Sequence, residues 1–316
     1  MIDLRPFTDD DYPALAELHH AAWGEPRTVA ELRSDDEEFA ADAVRVRLVA
    51  EQNGHPVLIG GYCETPWSPA PDKYFLSCVV HPAYQGRGLG RAWYERVFAA
   101  VQARAATLLT ATIRDDHSFA AAFVQGRGFR AVIREPESHL RLTAFDAERF
   151  ADRRRVEGIA LLSLPELLQQ DTAYAQRCWQ LQWELLQDVP TTEPFAREPL
   201  ADFQAELGDE GFYPAGYFVA LDTASGQLVG TTHISPRPAD PRQWESTSPA
   251  WCAATADAAS RSPSSCAPSR WPHKTGPNCW GPITRSTTPC IRSTCSSASP
   301  TPGAGSATRS CWRRPL

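Results

Sequence analysis

No apolar run in this sequence approaches the roughly 20 residues that a membrane span requires, and its start, Met-Ile-Asp-Leu-Arg, carries no basic-then-apolar leader. A membrane partner is therefore not expected, and a cytoplasmic location is. Positive charge is also in deficit. The 31 Lys and Arg stand against 38 Asp and Glu, a net charge of −7, which argues against a general binder of nucleic acid or anionic surfaces. Cysteine is sparse where metal sites would need it. Residues 1–245 hold only Cys63, Cys78 and Cys178, without ligand spacing, so reduced thiols and no metal are expected. With 316 residues there is room for two domains, each with its own core.

Two common nucleotide signatures are missing from the one stretch that looks built for phosphate. Val79-Val80-His81-Pro82-Ala83-Tyr84-Gln85-Gly86-Arg87-Gly88-Leu89-Gly90 has no Gly-Lys-Ser/Thr, and its glycines at 86, 88 and 90 do not fit G-x-G-x-x-G. The apolar run Phe75 to Val80 predicts a buried strand, and 91–104 has apolar residues at helical spacing. A strand, a glycine loop and a helix in that order hold phosphates. Glycines let successive N–H groups turn inward, and the helix adds the positive end of its dipole. Arg87 and Arg91 place mobile charge beside it. Gln85-x-x-Gly88-x-Gly90 behind a Val-x-Pro strand end matches the acyl-CoA signature Gln/Arg-x-x-Gly-x-Gly/Ala, with Gly128-Phe129 downstream. On these residues the chain resembles the GNAT superfamily of acyl-CoA-dependent N-acyltransferases.

The order of elements agrees with the resemblance. A strand at 2–6 precedes helices from Thr8 to Trp23 and from Val29 to Ala41; strands Val44–Glu51 and Val57–Tyr62 flank an Asn53-Gly54 turn. Strand 74–80, helix 91–104, strand Thr107–Ile113, helix Ser118–Gln125 and a strand to about Leu142 follow. The fold expected is α+β, a mixed and mostly antiparallel sheet flanked by helices, with a first GNAT domain at 1–145. A second copy starts near Val156, and its first half spans 156–245. Its strand Val156–Leu162 and helix Leu164–Gln187 lead to a hairpin at Tyr217–Leu221 and Gln227–Ile234. Val49, Ala50, Leu58 and Gly60 recur as Val219, Ala220, Leu228 and Gly230 at an offset of 170. Such tandem architecture resembles the mycothiol-synthase-like branch of the family.

Apolar residues then run out. Residues 246–316 hold 14 Ser, 10 Pro, 9 Thr and 6 Cys, one acidic residue (Asp257) and no Phe, Tyr, Val or Met. Eight Lys and Arg fall here, which leaves −14 on residues 1–245. A segment so poor in apolar side chains cannot offset its chain entropy. It reads either as a natural disordered basic tail or as the second domain translated out of frame. The second reading is favoured because the shifted codons permit a second glycine loop, and a second Gly-Phe, near the offset already set by the hairpins.

The resemblance implies acetyl-CoA as co-substrate, a small-molecule amine as acceptor, and roles for particular residues. Val79 and Val80 would hold pantetheine, and the amides of Gln85, Gly86, Arg87, Gly88, Leu89, Gly90 and Arg91 the pyrophosphate. The family's usual tyrosine, five residues before the Gly-Phe phenylalanine, is Val124 here, and the Asn that commonly opens the same helix is His117. For the base, Glu64 is the first candidate, with Asp72 behind it, against the alternative that both are solvated carboxylates. His117 is a proton shuttle or a helix cap. His81 and Tyr84 shape the loop, and Cys78 belongs to the core. Three functions follow: an N-acyltransferase, a non-catalytic acyl-CoA-binding or scaffold module, and a nucleic-acid binder acting through the basic tail. The acceptor's identity and the oligomeric state are not encoded in any motif.

Overall fold

The structure, a computed structural model, describes residues 2–251 other than 25, 38, 40–42, 65–67, 69, 137–138, 154, 192, 210–211 and 238–239, together with 308–316. Its elements follow the alternation of apolar residues closely in the first domain. Strand β1 (Arg5–Pro6) is followed by a 3-10 turn at Asp9–Asp11, capped by a Thr8–Asp11 box, and then by α1 (Tyr12–Trp23). Helix α1 buries Tyr12, Leu15 and Leu18 at three-residue spacing and ends at Gly24, whose φ of 72° only glycine adopts at ease. Helix α2 is described over Val29–Glu37, and its expected end at Ala41 lies outside the described residues. The meander β2 (Arg45–Gln52), β3 (His55–Glu64) and β4 (Lys73–Val80) leads to α3 (Leu89–Gln102), β5 (Leu108–Arg114), α4 (Ser118–Gln125) and β6 (Arg130–Pro136).

Strand β6 ends at Pro136, short of the expected 142, and Leu142–Ala144 is a 3-10 turn. The neighbour that β6 needs comes from the other end of the chain. Strand β11 (Thr308–Pro315) lies antiparallel to both β5 and β6, so the sheet order is β1-β2-β3-β4-β5-β11-β6. Trp312 packs into the first-domain core with Trp93, Val97, Val101 and Phe129, and the Ser310 hydroxyl donates to Asp115 Oδ1 over 2.6 Å. A tail without structure is thus the wrong expectation for 308–315, because alternate side chains of this segment have a core to enter. It is wrong for 246–251 as well, which continue a strand of the second sheet. Residues 252–307, and with them both shifted motifs, lie outside the described residues.

The second domain begins with β7 (Ile159–Ser163). The single helix expected over 164–187 is two: α5 (Leu164–Gln170) and α6 (Tyr174–Leu186). Asp171 separates them, its carboxylate accepting from the Ala173 N–H at 2.9 Å in a local turn. Helix α7 (Leu200–Glu206) precedes β8 (Tyr217–Asp222), β9 (Leu228–Arg237) and β10 (Asp240–Trp251), and the sheet order is β10-β9-β8-β7. Its core is Leu164, Leu167, Cys178, Leu181, Leu185, Phe203, Tyr217 and Val219. The offset of 170 holds along one strand but not across the hairpin. Ala50 faces Leu58, whereas Ala220 faces Gly230, because the turn after Asp222 is longer than Asn53-Gly54. Glu193, between α6 and α7 and 8% exposed, receives Lys73 Nζ of β4 at 2.5 Å and Arg313 of β11, both on the first sheet.

Candidate active site

Strands β4 and β5 run parallel and are paired only at Lys73–Leu108, Tyr74–Leu109 and Phe75–Thr110. Beyond that point β4 keeps its other neighbour, in register from Glu64–Tyr74 to Leu58–Val80. The direction of each main-chain group follows from one bond. His81 N–H donates to Val57 O at 2.9 Å, so in an antiparallel pair residues 79 and 77 also face β3, while Leu76, Cys78 and Val80 turn their N–H and C=O the other way. On the far side, Leu316 N–H bonds Thr107 O and Asp115 N–H bonds Thr308 O. Odd residues of β5 therefore face β11, and Thr112 and Arg114 face β4. A slot lined by main-chain groups opens between the two strands.

This alternation corrects one assignment. The main chain of Val79 is used by β3, and its side chain enters the core under α1. The group that faces the slot beside Val80 belongs to Cys78, with Leu76 deeper. The hairpin register carried that signal in the sequence. The Cys78 side chain points into the core and burial pushes its thiol pKa up, so it is no nucleophile.

Above the slot, side chains hold the loop and leave its amides outward. His81 Nδ1 accepts from the Ala83 N–H at 3.2 Å, and Gln85 Nε2 donates to Val80 O at 3.2 Å. Arg87 donates to Ala83 O at 3.0 Å, its guanidinium 5.0 Å from the Tyr84 ring centre. Gly86 and Gly88 take φ of 75° and 84°, a conformation that costs other residues about 1–2 kcal/mol. Gly88 caps α3, and its carbonyl accepts from the Ala92 N–H. Among the described residues no protein acceptor is bonded to the N–H groups of residues 86–91. They stand at the N-terminus of α3, a 14-residue helix, whose dipole favours negative charge there.

Three guanidinium groups surround it. Arg91 pairs with Glu95 at 2.8 Å. Arg127, which the sequence reading passed over, lies 3.4 Å above the Phe123 ring and donates to Phe123 O at 2.9 Å. That same ring would sit 3.5 Å from a Cβ at Gly90. The Arg127 pKa is lowered, by burial first and by Arg91 as well.

The proposed acid–base residues are not brought together. Glu64 is half-buried at the closed end of the pair, opposite Tyr74. Cys78 is four strand residues further on, about 13 Å away. His117 caps α4 beyond the open end of β5, its carbonyl accepting from the N–H of Ala120 and Ala121. Asp72 is structural: its carbonyl takes the Thr107 and Leu108 N–H groups and its carboxylate the Thr107 hydroxyl. Val124 is a core residue at 7% exposure. The nearby Tyr94 hydroxyl oxygen accepts from Arg314 of β11, and burial raises its pKa.

A glycine loop that feeds a bare helix N-terminus beside an opened strand pair is the acyl-CoA geometry expected above. Residues 12–129 match the acetyltransferase (GNAT) family model. Two solved structures share the fold over most of the chain. A tandem GNAT protein from the clavulanic acid biosynthesis pathway is 17% identical over 80% of this chain and 80% of its own, with a TM-score of 0.58. A GCN5-related N-acetyltransferase from Sphaerobacter thermophilus is 19% identical over 79% of this chain and 76% of its own, with a TM-score of 0.56. Among curated proteins, nothing matches significantly.

Proposed function

We infer that the chain is an acetyl-CoA-dependent N-acetyltransferase acting on a small-molecule primary amine at the β4–β5 slot. The observation that carries this is the set of outward amides at 86–91, in line with a slot whose walls are main-chain donors and acceptors. The amides of 86–91 and Arg87, Arg91 and Arg127 would grip the phosphates. Leu76, Cys78 and Val80 would bond the pantetheine amides as a strand would. When bound, acetyl-CoA supplies an activated acyl carbon. The Cys78 N–H would be the donor for charge developing on the acyl oxygen, and such donors are worth about 3 kcal/mol. Only a neutral amine attacks, and its proton would leave through water, with Glu64 as the nearest side-chain acceptor proposed at the closed end. With Val124 at the usual tyrosine position, the thiolate would leave without a protein acid. No helix among the described residues is long and apolar enough to cross a membrane, and Cys63, Cys78, Cys178 and Cys311 are free thiols. Both support a cytoplasmic site of action.

A second reading, an acyl-CoA-binding module without turnover, is favoured by the distance between Glu64 and His117 and by Val124. One experiment separates them. Acetyl-CoA is mixed with a panel of primary amines and free thiol is followed. Thiol release that depends on the amine supports the enzyme; thermal protection by CoA with no release from any amine supports the module.

A further inference from the structure

The first domain plugs a space that the second leaves open. Arg47 stands on β2 two residues before Val49, and Tyr217 stands on β8 two residues before Val219; both valines are fully buried under their domain's helices. In the first domain the Arg47 guanidinium lies 3.7 Å from the Phe7 ring centre and 5.4 Å from that of Tyr12, and it pairs with Asp36 on α2. The domain thus keeps its own cation between aromatic rings and a carboxylate.

In the second domain the rings and the carboxylate recur, and in place of the guanidinium the cavity is lined by His233, whose pKa is lowered by burial. A cavity of about 220 Å³ lies between α6, α7, β8 and β9, with Phe203, Phe212 and Tyr217 as aromatic walls and Gln182 and Glu206 among its polar ones. No Lys or Arg lines it among the described residues. The Tyr217 hydroxyl is buried in this cavity, on a residue 5% exposed, and no hydrogen bond of ordinary geometry reaches it. Thr231 beside it gives its proton to Phe218 O at 3.1 Å, so toward the cavity its oxygen acts as an acceptor. A buried phenol without a partner is unfavourable and calls for an explanation. Outside the cavity, Glu198 is pushed up to about 7, by burial first and then by Glu206 and Asp202.

We propose that this cavity binds a small primary ammonium compound, whose N–H groups bond the Tyr217, Thr231 and Gln182 oxygens while Glu206 at the mouth balances its charge. Aromatic faces and a carboxylate favour a cation over an anion of the same size. The site is separate from the β4–β5 slot and does not rest on the acetyltransferase reading.

The test is calorimetry on the full chain without CoA, using phenethylamine and n-butylamine as probes and 2-phenylethanol and phenylacetate as controls. At least one amine should bind once per chain, with 2-phenylethanol about tenfold weaker and phenylacetate silent. Tyr217→Phe, which keeps the shape, should weaken the amine about five- to tenfold, and Glu206→Gln about tenfold. Tyr217→Arg, which restores the first domain's plug, should abolish binding, while Gly88→Val should leave it unchanged. The proposal is overturned if neither amine binds, if alcohol or carboxylate binds equally well, if both Tyr217→Phe and Glu206→Gln bind as wild type, or if Gly88→Val removes the signal.

Discussion

The two domains start from one plan and diverge at two places. Both have a helix pair over a meander, and in each a valine (Val49 or Val219) is fully buried at the same point of the second strand. In the first, β4 runs into the glycine loop and separates from β5. In the second, β10 is the corresponding strand and the described residues stop at its end. The other divergence is beneath the helices, where Arg47 fills what Tyr217 leaves as a cavity. The proposed CoA site is lined by main-chain groups that the parallel pair does not use. The cavity lies where the uncharged Tyr217 stands at the position that Arg47 holds in the first domain.

The comparison can be broken at the loop first. Gly88→Val forces a β-branched residue into φ 84°, a strain the loop's backbone must absorb although nothing lies within 4 Å of the new Cβ. CoA affinity should fall roughly 100-fold by titration, equivalent to several phosphate bonds, with the second domain's melting unchanged. Next is the strand that only the first domain borrows. Trp312→Ala empties a core position and should cost about 3–5 kcal/mol in denaturant unfolding of the first domain. An equal loss in the second would contradict the assignment of β11. The third effect belongs to Asp11, whose pKa is lowered to about 2 mainly by its bond to Arg5. A depressed carboxylate stabilises above its unfolded value near 4 and loses that contribution as pH falls toward 2. Asp11→Asn should therefore cost about 2 kcal/mol at pH 7 and close to nothing at pH 2. Smallest is the ion-pair cluster at Glu193. Glu193→Gln leaves Lys73 and Arg313, each about one-third exposed, to solvent, and should cost about 1 kcal/mol or less.

Local chemistry was legible and long-range chemistry was not. Glycines that take positive φ, a proline after a strand and an apolar stripe at Trp93, Val97 and Val101 gave the loop and α3. The slot was legible in kind, but its residues required a register. Choosing Cys78 over Val79 depends on which residues of β4 face β3, which the alternating burial alone does not reveal. Strand β11 was hidden because no composition rule predicts that Thr308–Pro315 pairs with Leu108–Arg114 almost two hundred residues earlier. The cavity was hidden for the same reason, since α6, α7, β8 and β9 must be assembled before Tyr217 is seen to lack a partner. The offset of 170 survived within β8 and failed across a turn, because turn length and not repeat length sets pairing. We propose the out-of-frame reading for residues 246–316; a gene sequence that restores an aliphatic-rich frame there would support it.

The central claim is that the amides around Gly88 hold a diphosphate. Calorimetric titration of acetyl-CoA into the wild-type chain and into Gly88→Val measures it most directly. Saturable binding in the first and about a hundredfold loss in the second is the predicted result; no heat in the wild type, or equal affinity in both, would contradict it.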